Sequence, residues 1–330
     1  MLNGKIKKKK DVVAVQFGLN KAERKFCIKS KADKSMWELF CLQLPAIIYL
    51  LLFNYLPMVG IIVAFKQYKF SLGIFGSPWN GIDNFKFLFE AKTFYTLIRN
   101  TLGYNITFLI LSHLLNMFLA LCLYNVNKSK GAIKIFQTSM FLPYFLSWIV
   151  ISYISYAFLS YNTGIINNLL EMVGLEKIEF YRETKYWPFI FLFFTLWKSA
   201  GFGTLVYYGS ILSIDETQFE AAEIDGCSYV KKIWYIILPH LKVTIVTLVI
   251  LNLGSILNSD FGMYYYLPND SGVLYNVTDV LDTYITRSLK ETTNFGAPSA
   301  ASFIQSVCGF TLVILVNWVV KKINSESSLF

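Results

Sequence analysis

The chemistry-bearing side chains of this sequence concentrate in one polar segment between two apolar stretches. Residues 214–226 carry five acids around two alanines and end at a glycine. Asp215 precedes strong helix formers, and an aspartate there can accept a hydrogen bond from the first free N–H groups of a helix. Gly226 stands where helices end in a left-handed residue. The pattern predicts a short helix, a glycine turn and a second amphipathic helix, Ser228 to Leu238, ended by Pro239.

Two functions fit a pair of short helices joined by a glycine turn. Ala221 and Ala222 allow another backbone to approach closely, and the carboxylates beside them can pair with basic groups, so the segment suits a groove on a partner protein. In the alternative interpretation, the hairpin lies at the membrane surface and only connects its neighbours. From residue types alone, both interpretations stand.

The sequence has none of the motifs expected for covalent catalysis or nucleotide binding. It contains no G-x-x-x-x-G-K-[ST], no G-x-S-x-G and no cluster with metal-ligand spacing, and its five cysteines are scattered singly. The two histidines, His113 and His240, are isolated, so structural roles are expected for both. We therefore predict a protein that is not an enzyme, with no metal and no cofactor in this chain.

The elements around this segment are predicted to be membrane-spanning helices. Of the 330 residues, 55% are apolar and 15% charged, whereas soluble domains carry about 25% charged residues. About 20 apolar helical residues cross a bilayer core. We predict an all-α, polytopic membrane protein with six transmembrane helices. The predicted spans are about 40–65, 101–124, 133–160, 186–212, 243–267 and 300–320.

The distribution of basic residues predicts the orientation. Eleven of the 30 Lys and Arg residues lie in the first 34 residues, which predicts a cytoplasmic N-terminal segment, 1–38, before a retained signal anchor. Nineteen basic residues fall on the predicted inner side and ten in the outer loops, so both termini, including the tail 323–330, are predicted to be cytoplasmic. The basic segment is expected to attract anionic membrane lipid, and no nucleic-acid partner is predicted.

Several motifs carry a resemblance to a known family. Glu220-Ala221-Ala222-x-x-Asp225-Gly226 with Leu238-Pro239 after it resembles the EAA loop of binding-protein-dependent ABC importer permeases. Trp197-Lys198-x-x-Gly201 resembles the carbohydrate-uptake branch, of maltose type. The run from Thr278 to Arg287 is similar to its oligosaccharide and polysaccharide-fragment subgroup. The resemblance covers about residues 40–322.

The resemblance implies a type I ABC importer permease fold over 39–322, in a bacterial cytoplasmic membrane. It implies that the chain forms half of the translocation pathway with a second permease, usually a different chain. It further implies an extracytoplasmic binding protein that delivers an oligosaccharide, and two cytoplasmic ATPases that bind ATP and Mg. The loop 213–242 would couple to an ATPase. The coupling residues so implied are Glu220, Ala221, Ala222, Glu223, Asp225 and Gly226. The alternatives are a secondary sugar transporter, or an ABC importer of a non-sugar solute.

A sugar site needs aromatic surfaces and a few hydrogen-bonding groups. By its spacing from Glu220, Trp197 resembles a tryptophan that lines the sugar site of maltose-type permeases, and Thr195 lies at a similar depth. The predicted fifth span adds the polar residues Asn252, Ser255, Asn258, Ser259 and Asp260. Helical spacing would place residues 252, 255 and 259 on one face. Hydrogen bonding between helices is the alternative role for these residues.

Lys198 lies inside the predicted fourth span, where a lysine costs roughly 2.5–3.5 kcal/mol on insertion scales. Three roles are open for its ammonium group. It pairs with Asp260, it snorkels to the interface, or it meets the carboxylate of an acidic sugar.

Overall fold

The computed structural model describes residues 37–90, 92–125, 130–291 and 295–323. Most of the predicted basic segment 1–38 and of the tail 323–330 lies outside these ranges. In chain order the longer helices are α1 (Trp37–Phe65), α2 (Asp83–Glu90), α3 (Lys92–Asn125), α4 (Lys130–Phe145), α5 (Trp148–Leu159), α6 (Ile165–Met172), α7 (Trp187–Leu212), α8 (Glu216–Ile224), α9 (Tyr229–Gly254), α10 (Phe261–Tyr266), α11 (Leu281–Glu291) and α12 (Gly296–Ile323). The predicted all-α fold is confirmed.

Five of the described helices, α1, α3, α7, α9 and α12, are long and apolar enough to cross a membrane. The pair α4 and α5 makes a sixth candidate, because the two helices together are also long and apolar enough to cross a membrane. The connections predicted to be outer contain the short helices α2, α6 and α11. The described residues from Ile62 onward form one compact unit, and most of α1 precedes that unit in the chain.

The predicted third span, 133–160, is not one straight helix. The axes of α4 and α5 meet at 98° across a break of two residues. Pro143 lies in the last turn of α4, and a proline removes a backbone donor and crowds the preceding turn. Ser147 then starts α5 by accepting a hydrogen bond from the N–H of Val150. A local stop signal and a local start signal therefore produce the bend.

Pro239 does not end the second helix of the polar segment, so that prediction is wrong. Helix α9 runs without a break from Tyr229 into the membrane-spanning stretch. A π-helical turn over Ile233–Ile237 lies immediately before Leu238 and Pro239, and the N–H of Leu238 donates to the carbonyl of Ile233. The wider turn accommodates a residue that lacks an N–H. In α1, a π-helical turn over Leu51–Tyr55 precedes Pro57 in the same way.

The helices α3 and α7 pack against each other along most of their length, and α4 packs on the other side of α7. Gly201 permits the second contact, because a Cβ there would lie 2.3 Å from the carbonyl oxygen of Met140. Gly203 permits a close contact with α3, since a Cβ would lie 2.0 Å from the side-chain nitrogen of Asn116. This close packing holds the polar residues of α3 and α7 next to each other.

Candidate functional site

The acidic hairpin, which we define as residues 215–228, begins with a hydrogen-bonded cap. The Asp215 carboxylate accepts a hydrogen bond from the backbone N–H of Thr217, with an O–N distance of 3.0 Å. Because the ionised form accepts this bond, the pKa of Asp215 is lowered from its ordinary value. The predicted helix start is confirmed.

The acidic hairpin turns at Gly226, whose φ is +67°. The N–H of Cys227 donates to the carbonyl of Ala222 at 2.8 Å, and the N–H of Gly226 donates to that of Glu223 at 3.0 Å. These two bonds form a Schellman motif, which satisfies carbonyls at the end of α8. A Cβ at Gly226 would meet open space among the described residues, so the positive φ alone requires glycine. The predicted glycine turn is confirmed.

The predicted coupling residues do not all face the same way. Ala222 is buried against its own bundle, with 8% of its surface exposed. The exposed members are Glu220, Ala221, Glu223, Asp225 and Gly226. The ammonium group of Lys232 forms an ion pair with the carboxylate of Glu223, with a nitrogen–oxygen distance of 2.7 Å. Five of the six predicted residues therefore lie on the exposed surface of the hairpin.

Sequence reasoning missed Ile224, which lies on the same exposed surface. Its side chain is 88% exposed, although it is a large apolar residue between Glu223 and Asp225. The sequence signal that could have identified Ile224 as a surface residue of the hairpin was an isoleucine placed among acids next to a turn glycine. Together, the exposed acids and this isoleucine form a surface that suits an apolar pocket with basic residues around it.

The predicted fifth span, 243–267, is wrong in position. Helix α9 begins at Tyr229 and ends at Gly254, and residues 255–260 are not helical. The end of α9 lies close to α12, since a Cβ at Gly309 would be 2.8 Å from the carbonyl oxygen of Gly254. Residues 252, 255 and 259 therefore do not share a helix face, and that prediction is also wrong.

Side chains from distant helices hold segment 255–260. Asn105 of α3 donates to the carbonyls of Ile256 and Asn258, at 2.7 and 3.1 Å. Gln305 of α12 donates to the carbonyl of Leu257 at 2.6 Å. The segment replaces helical hydrogen bonds with these contacts, as buried irregular backbone in a membrane protein must.

A central cavity of about 360 Å³ lies between α3, α7, α9 and segment 255–260. Of the predicted pathway residues, Asn252, Ser255 and Asn258 line it. The cavity also has polar lining residues that sequence reasoning missed: Asn105, Ser112, His113, Asn116, Tyr144, Ser199 and Tyr207. Asn105, Ser112 and Asn116 are spaced at seven and four residues along α3, which places them on one helix face, and that polar stripe on an apolar helix was the available signal.

Thr195 and Trp197 do not line the central cavity. The Thr195 hydroxyl donates to the sulfur of Met263 at 3.2 Å. Trp197 lines a separate cavity of about 600 Å³, whose other walls are apolar and aromatic, including Phe189 and Phe193. Within this chain Thr195 and Trp197 therefore do not share a cavity with Asn252 of α9.

Lys198 does not form an ion pair with Asp260 among the described contacts. Its ammonium group donates to the carbonyls of Tyr144, at 2.9 Å, and Leu146, which are exposed by the bend after α4. It also lies 5.3 Å from the ring centroid of Trp148. The Trp148 indole N–H in turn donates to Asp260. The lysine therefore stabilises the end of α4, and an aromatic ring lies between the two charges.

The two last predicted pathway residues stabilise chain turns. Asp260 accepts from the N–H of Gly262 at 3.1 Å and so caps α10. The N–H of Ser259 donates to the Asp282 carboxylate at 2.6 Å. Burial raises the pKa of Asp282, although the hydrogen bonds from Ser259 and Gln305 oppose the rise. Neither Ser259 nor Asp260 is among the residues that line the central cavity.

In the connection predicted to be outer, the motif that ends at Arg287 forms a compact charged cluster. The guanidinium donates to Asp279, lies 3.6 Å from Asp270 and stacks 4.0 Å from the ring centroid of Tyr275. Burial lowers the pKa of Arg287, but the hydrogen bond and the charge of Asp279 more than offset this effect and raise it. The cluster fixes the connection between α10 and α11.

Comparisons with known proteins agree with this architecture. The family model described as binding-protein-dependent transport system inner membrane component matches residues 117–325. The protein LplB of Bacillus subtilis (strain 168) is 33% identical over 90% of this chain and 91% of that protein. The polygalacturonan/rhamnogalacturonan transport system permease protein YteP of the same organism is 35% identical, over 87% of this chain and 89% of that protein.

A solved structure gives the same result. One chain in the crystal structure of a bacterial ABC transporter involved in the import of the acidic polysaccharide alginate superposes with a TM-score of 0.80. It is 33% identical, and the match covers 89% of this chain and 98% of that one. Because these relatives are transport components, the prediction that the chain is not an enzyme is confirmed.

Proposed function

The chain belongs to the family of binding-protein-dependent transport system inner membrane components, and from this premise we propose that it forms half of the pathway of an ATP-driven importer for oligosaccharides or polysaccharide fragments. One observation carries the proposal: the alginate importer chain matches 89% of this chain at 33% identity and a TM-score of 0.80. Family membership favours this function over a secondary sugar transporter.

The chemistry of the central cavity supports a sugar as the solute. Its polar lining residues are amides, hydroxyls and one imidazole, and none of its lining residues is Asp, Glu, Lys or Arg. Such groups exchange hydrogen bonds with sugar hydroxyls without carrying net charge. Relatives are described as transporting polygalacturonan/rhamnogalacturonan and, at 28% identity, arabinooligosaccharides. These are the sugars with which the proposal is best tested.

The coupling role belongs to the exposed surface of the acidic hairpin. Glu220, Ala221 and Gly226 would contact an ATPase subunit, and Ile224 would enter an apolar pocket beside them. The support is physical, because the surface combines exposed acids with one 88% exposed isoleucine on a hairpin that its own hydrogen bonds fix. ATP and Mg would be bound by the ATPase subunits.

The remaining partners follow from the same role. A second permease would complete the pathway, and an extracytoplasmic binding protein would deliver the sugar. A structure of the related alginate importer includes a periplasmic protein bound to an alginate pentasaccharide. The excess of basic residues on the predicted inner side supports cytoplasmic termini.

The decisive experiment is reconstitution of the complete complex. The chain is purified with the second permease and the ATPase encoded nearest to its gene, placed in proteoliposomes, and supplied with the binding protein from the same gene neighbourhood. Uptake of trigalacturonate, alginate pentasaccharide and arabinotriose is then measured with and without ATP. We expect ATP-dependent uptake of at least one of these sugars.

Two results would contradict the proposal. Uptake by proteoliposomes that hold this chain without an ATPase would indicate a secondary transporter. An active ATPase that none of the three loaded sugars stimulates would indicate a different solute. An ATPase variant that cannot hydrolyse ATP provides the matched control, since it preserves the assembled complex.

A further inference from the structure

We propose that His113 is a positioning residue that turns the side-chain carbonyl of Asn252 toward the central cavity, where it accepts a hydrogen bond from a hydroxyl group of the transported sugar. The inference rests on the proposed function and adds to it one specific contact. It also gives a role to a histidine for which the sequence predicted only a structural one.

His113 connects three helices through its two ring nitrogens. On α3, its Nδ1 lies 2.7 Å from the hydroxyl oxygen of Tyr207, which belongs to α7. Its Nε2 lies 3.2 Å from the side-chain nitrogen Nδ2 of Asn252, on α9. Tyr207 is fully buried, whereas Asn252 is exposed to the cavity that it lines.

Because the structure places Nδ2 of Asn252, rather than Oδ1, against the imidazole, a direction follows for each hydrogen bond. The Nδ2 atom of Asn252 can only donate, so Nε2 of His113 must be the unprotonated acceptor. The proton of the neutral imidazole therefore resides on Nδ1, which donates to the hydroxyl oxygen of Tyr207. In this arrangement the tautomer of His113 and the orientation of the Asn252 amide are coupled.

The consequence is a defined acceptor at the wall of the cavity. With Nδ2 directed at His113, the Oδ1 atom of Asn252 faces away from the imidazole, and within the described part of the chain no residue donates to it. A sugar hydroxyl is the natural donor for an amide oxygen in a polar cavity of about 360 Å³. Without His113, the amide could present either its oxygen or its nitrogen.

A simpler role for His113 is to hold α3 against α7 through Tyr207. The two roles differ in their dependence on Asn252. A positioning residue that acts through Asn252 has no effect once the Asn252 amide is gone, whereas a residue that only holds helices together retains its effect. A double-mutant comparison separates the two roles.

The experiment uses the complete reconstituted complex and measures ATP-dependent uptake of trigalacturonate, alginate pentasaccharide or arabinotriose, whichever is transported fastest. The variants are His113→Phe, Asn252→Ala and the double variant. We expect His113→Phe to lower uptake about fivefold, which corresponds to the loss of one neutral hydrogen bond. In the Asn252→Ala background, the same change should alter uptake by less than about twofold.

Two further variants keep the test decisive. Tyr207→Phe removes the acceptor of the Nδ1 proton while preserving the ring, so it should lower uptake less than His113→Phe, and its effect should also vanish with Asn252→Ala. It replaces His113→Phe in the comparison if that variant does not assemble. Ser112→Ala changes a neighbouring cavity residue on α3. In a double variant with Asn252→Ala, the fold-losses of uptake caused by the two single changes should multiply.

Three results overturn the inference. Independent, multiplying effects of His113→Phe and Asn252→Ala would assign His113 a purely structural role. Unchanged uptake by His113→Phe would remove any role in transport. If the unmodified complex transports none of the sugars, the proposed function fails and this inference fails with it, so the two failures are distinguishable.

Discussion

Helix α8 and segment 255–260 each lie where a helix is interrupted, but different forces hold them. In α8, Asp215 and the turn at Gly226 satisfy the free backbone groups at both ends, and these residues adjoin the helix in sequence. In segment 255–260, the backbone carbonyls are satisfied by Asn105 and Gln305, which are about 150 and 50 residues away.

The difference matters for what each region can do. A hairpin fixed by its own hydrogen bonds keeps its shape wherever the bundle moves, which suits a part that transmits force to a partner. A segment held by side chains from two other helices changes when those helices move relative to it. The hydrogen bonds of the two regions therefore suit the proposed roles, a contact surface for the hairpin and a pathway wall for segment 255–260.

The largest expected effect comes from Gly226→Val. A β-branched residue resists the φ of +67° that the turn requires, at a cost of roughly 1–2 kcal/mol. A Cβ at Gly226 meets no atom of the described bundle, so we expect the complex to assemble while ATP-dependent sugar uptake is abolished. Uptake in proteoliposomes and size-exclusion profiles of the purified complex measure the two properties.

Gly174 offers a matched control for that variant. Its φ is +79° and, as at Gly226, a Cβ would meet open space among the described residues, but it follows α6 in a connection predicted to be outer. Gly174→Val should introduce similar strain and preserve uptake. Equal loss of uptake in both variants would show that strain itself, rather than the position of the turn, causes the defect.

An intermediate effect is expected from Gln305→Leu. The substitution leaves the carbonyl of Leu257 without its described side-chain donor and removes one donor to the carboxylate of Asp282, which keeps the hydrogen bond from Ser259. The site is buried, since Gln305 is only 6% exposed. Losing such a bond costs about 2 kcal/mol. The unfolding temperature of the assembled complex should fall, as measured by scanning fluorimetry.

Gln218→Leu on α8 is the control, because that exposed side chain makes no described hydrogen bond. This variant should change the free energy of unfolding by less than about 0.5 kcal/mol.

The cost of Gln305→Leu should also depend on pH. Burial already raises the pKa of Asp282, so its ionised form is disfavoured in the folded protein and its contribution to stability falls as the pH rises above its ordinary pKa. Removing the Gln305 donor raises that pKa further. The destabilisation should therefore be larger at pH 7 than at pH 4. An equal loss at both pH values would remove Asp282 from the explanation.

The same contrast explains which features the sequence could predict. The cap at Asp215, the turn at Gly226 and the presence of apolar spans depend on neighbouring residues or on composition, and these were predictable, whereas the bounds of the fifth span and the bend in the third were not. The end of α9 at Gly254 depends on contact with Gly309, and the bonds of Asn105 join residues far apart in sequence. The π-helical turn before Pro239 was missed because a proline in an otherwise helical pattern normally predicts a helix end.

The central cavity shows the same limit. Asn252, Ser255 and Asn258 were predicted because they lie close together in sequence, and all three line it. His113 was set aside as isolated, since its partners Tyr207 and Asn252 come from two other helices. Residue type alone could not show that Lys198 would meet the carbonyls at the bend after α4.

The smallest expected effect comes from Asp215→Ala, and it tests whether α8 depends on its own cap. The variant removes the acceptor for the N–H of Thr217, so hydrogen exchange of the first α8 amides should become a few-fold faster at pH 7 while uptake changes little.

The effect of the cap should depend on pH, because the folded-state pKa of Asp215 lies below its ordinary value. The cap stabilises the helix at pH values above the ordinary pKa, and this stabilisation is lost as the pH falls through the lowered pKa. Asp215→Asn preserves an acceptor that does not titrate, so its protection should match the unmodified chain at pH 7 and should not decline in acid. If Asp215→Ala left the exchange rates of residues 216–219 unchanged, contacts with the bundle rather than the cap would fix the hairpin, and the contrast with segment 255–260 would disappear.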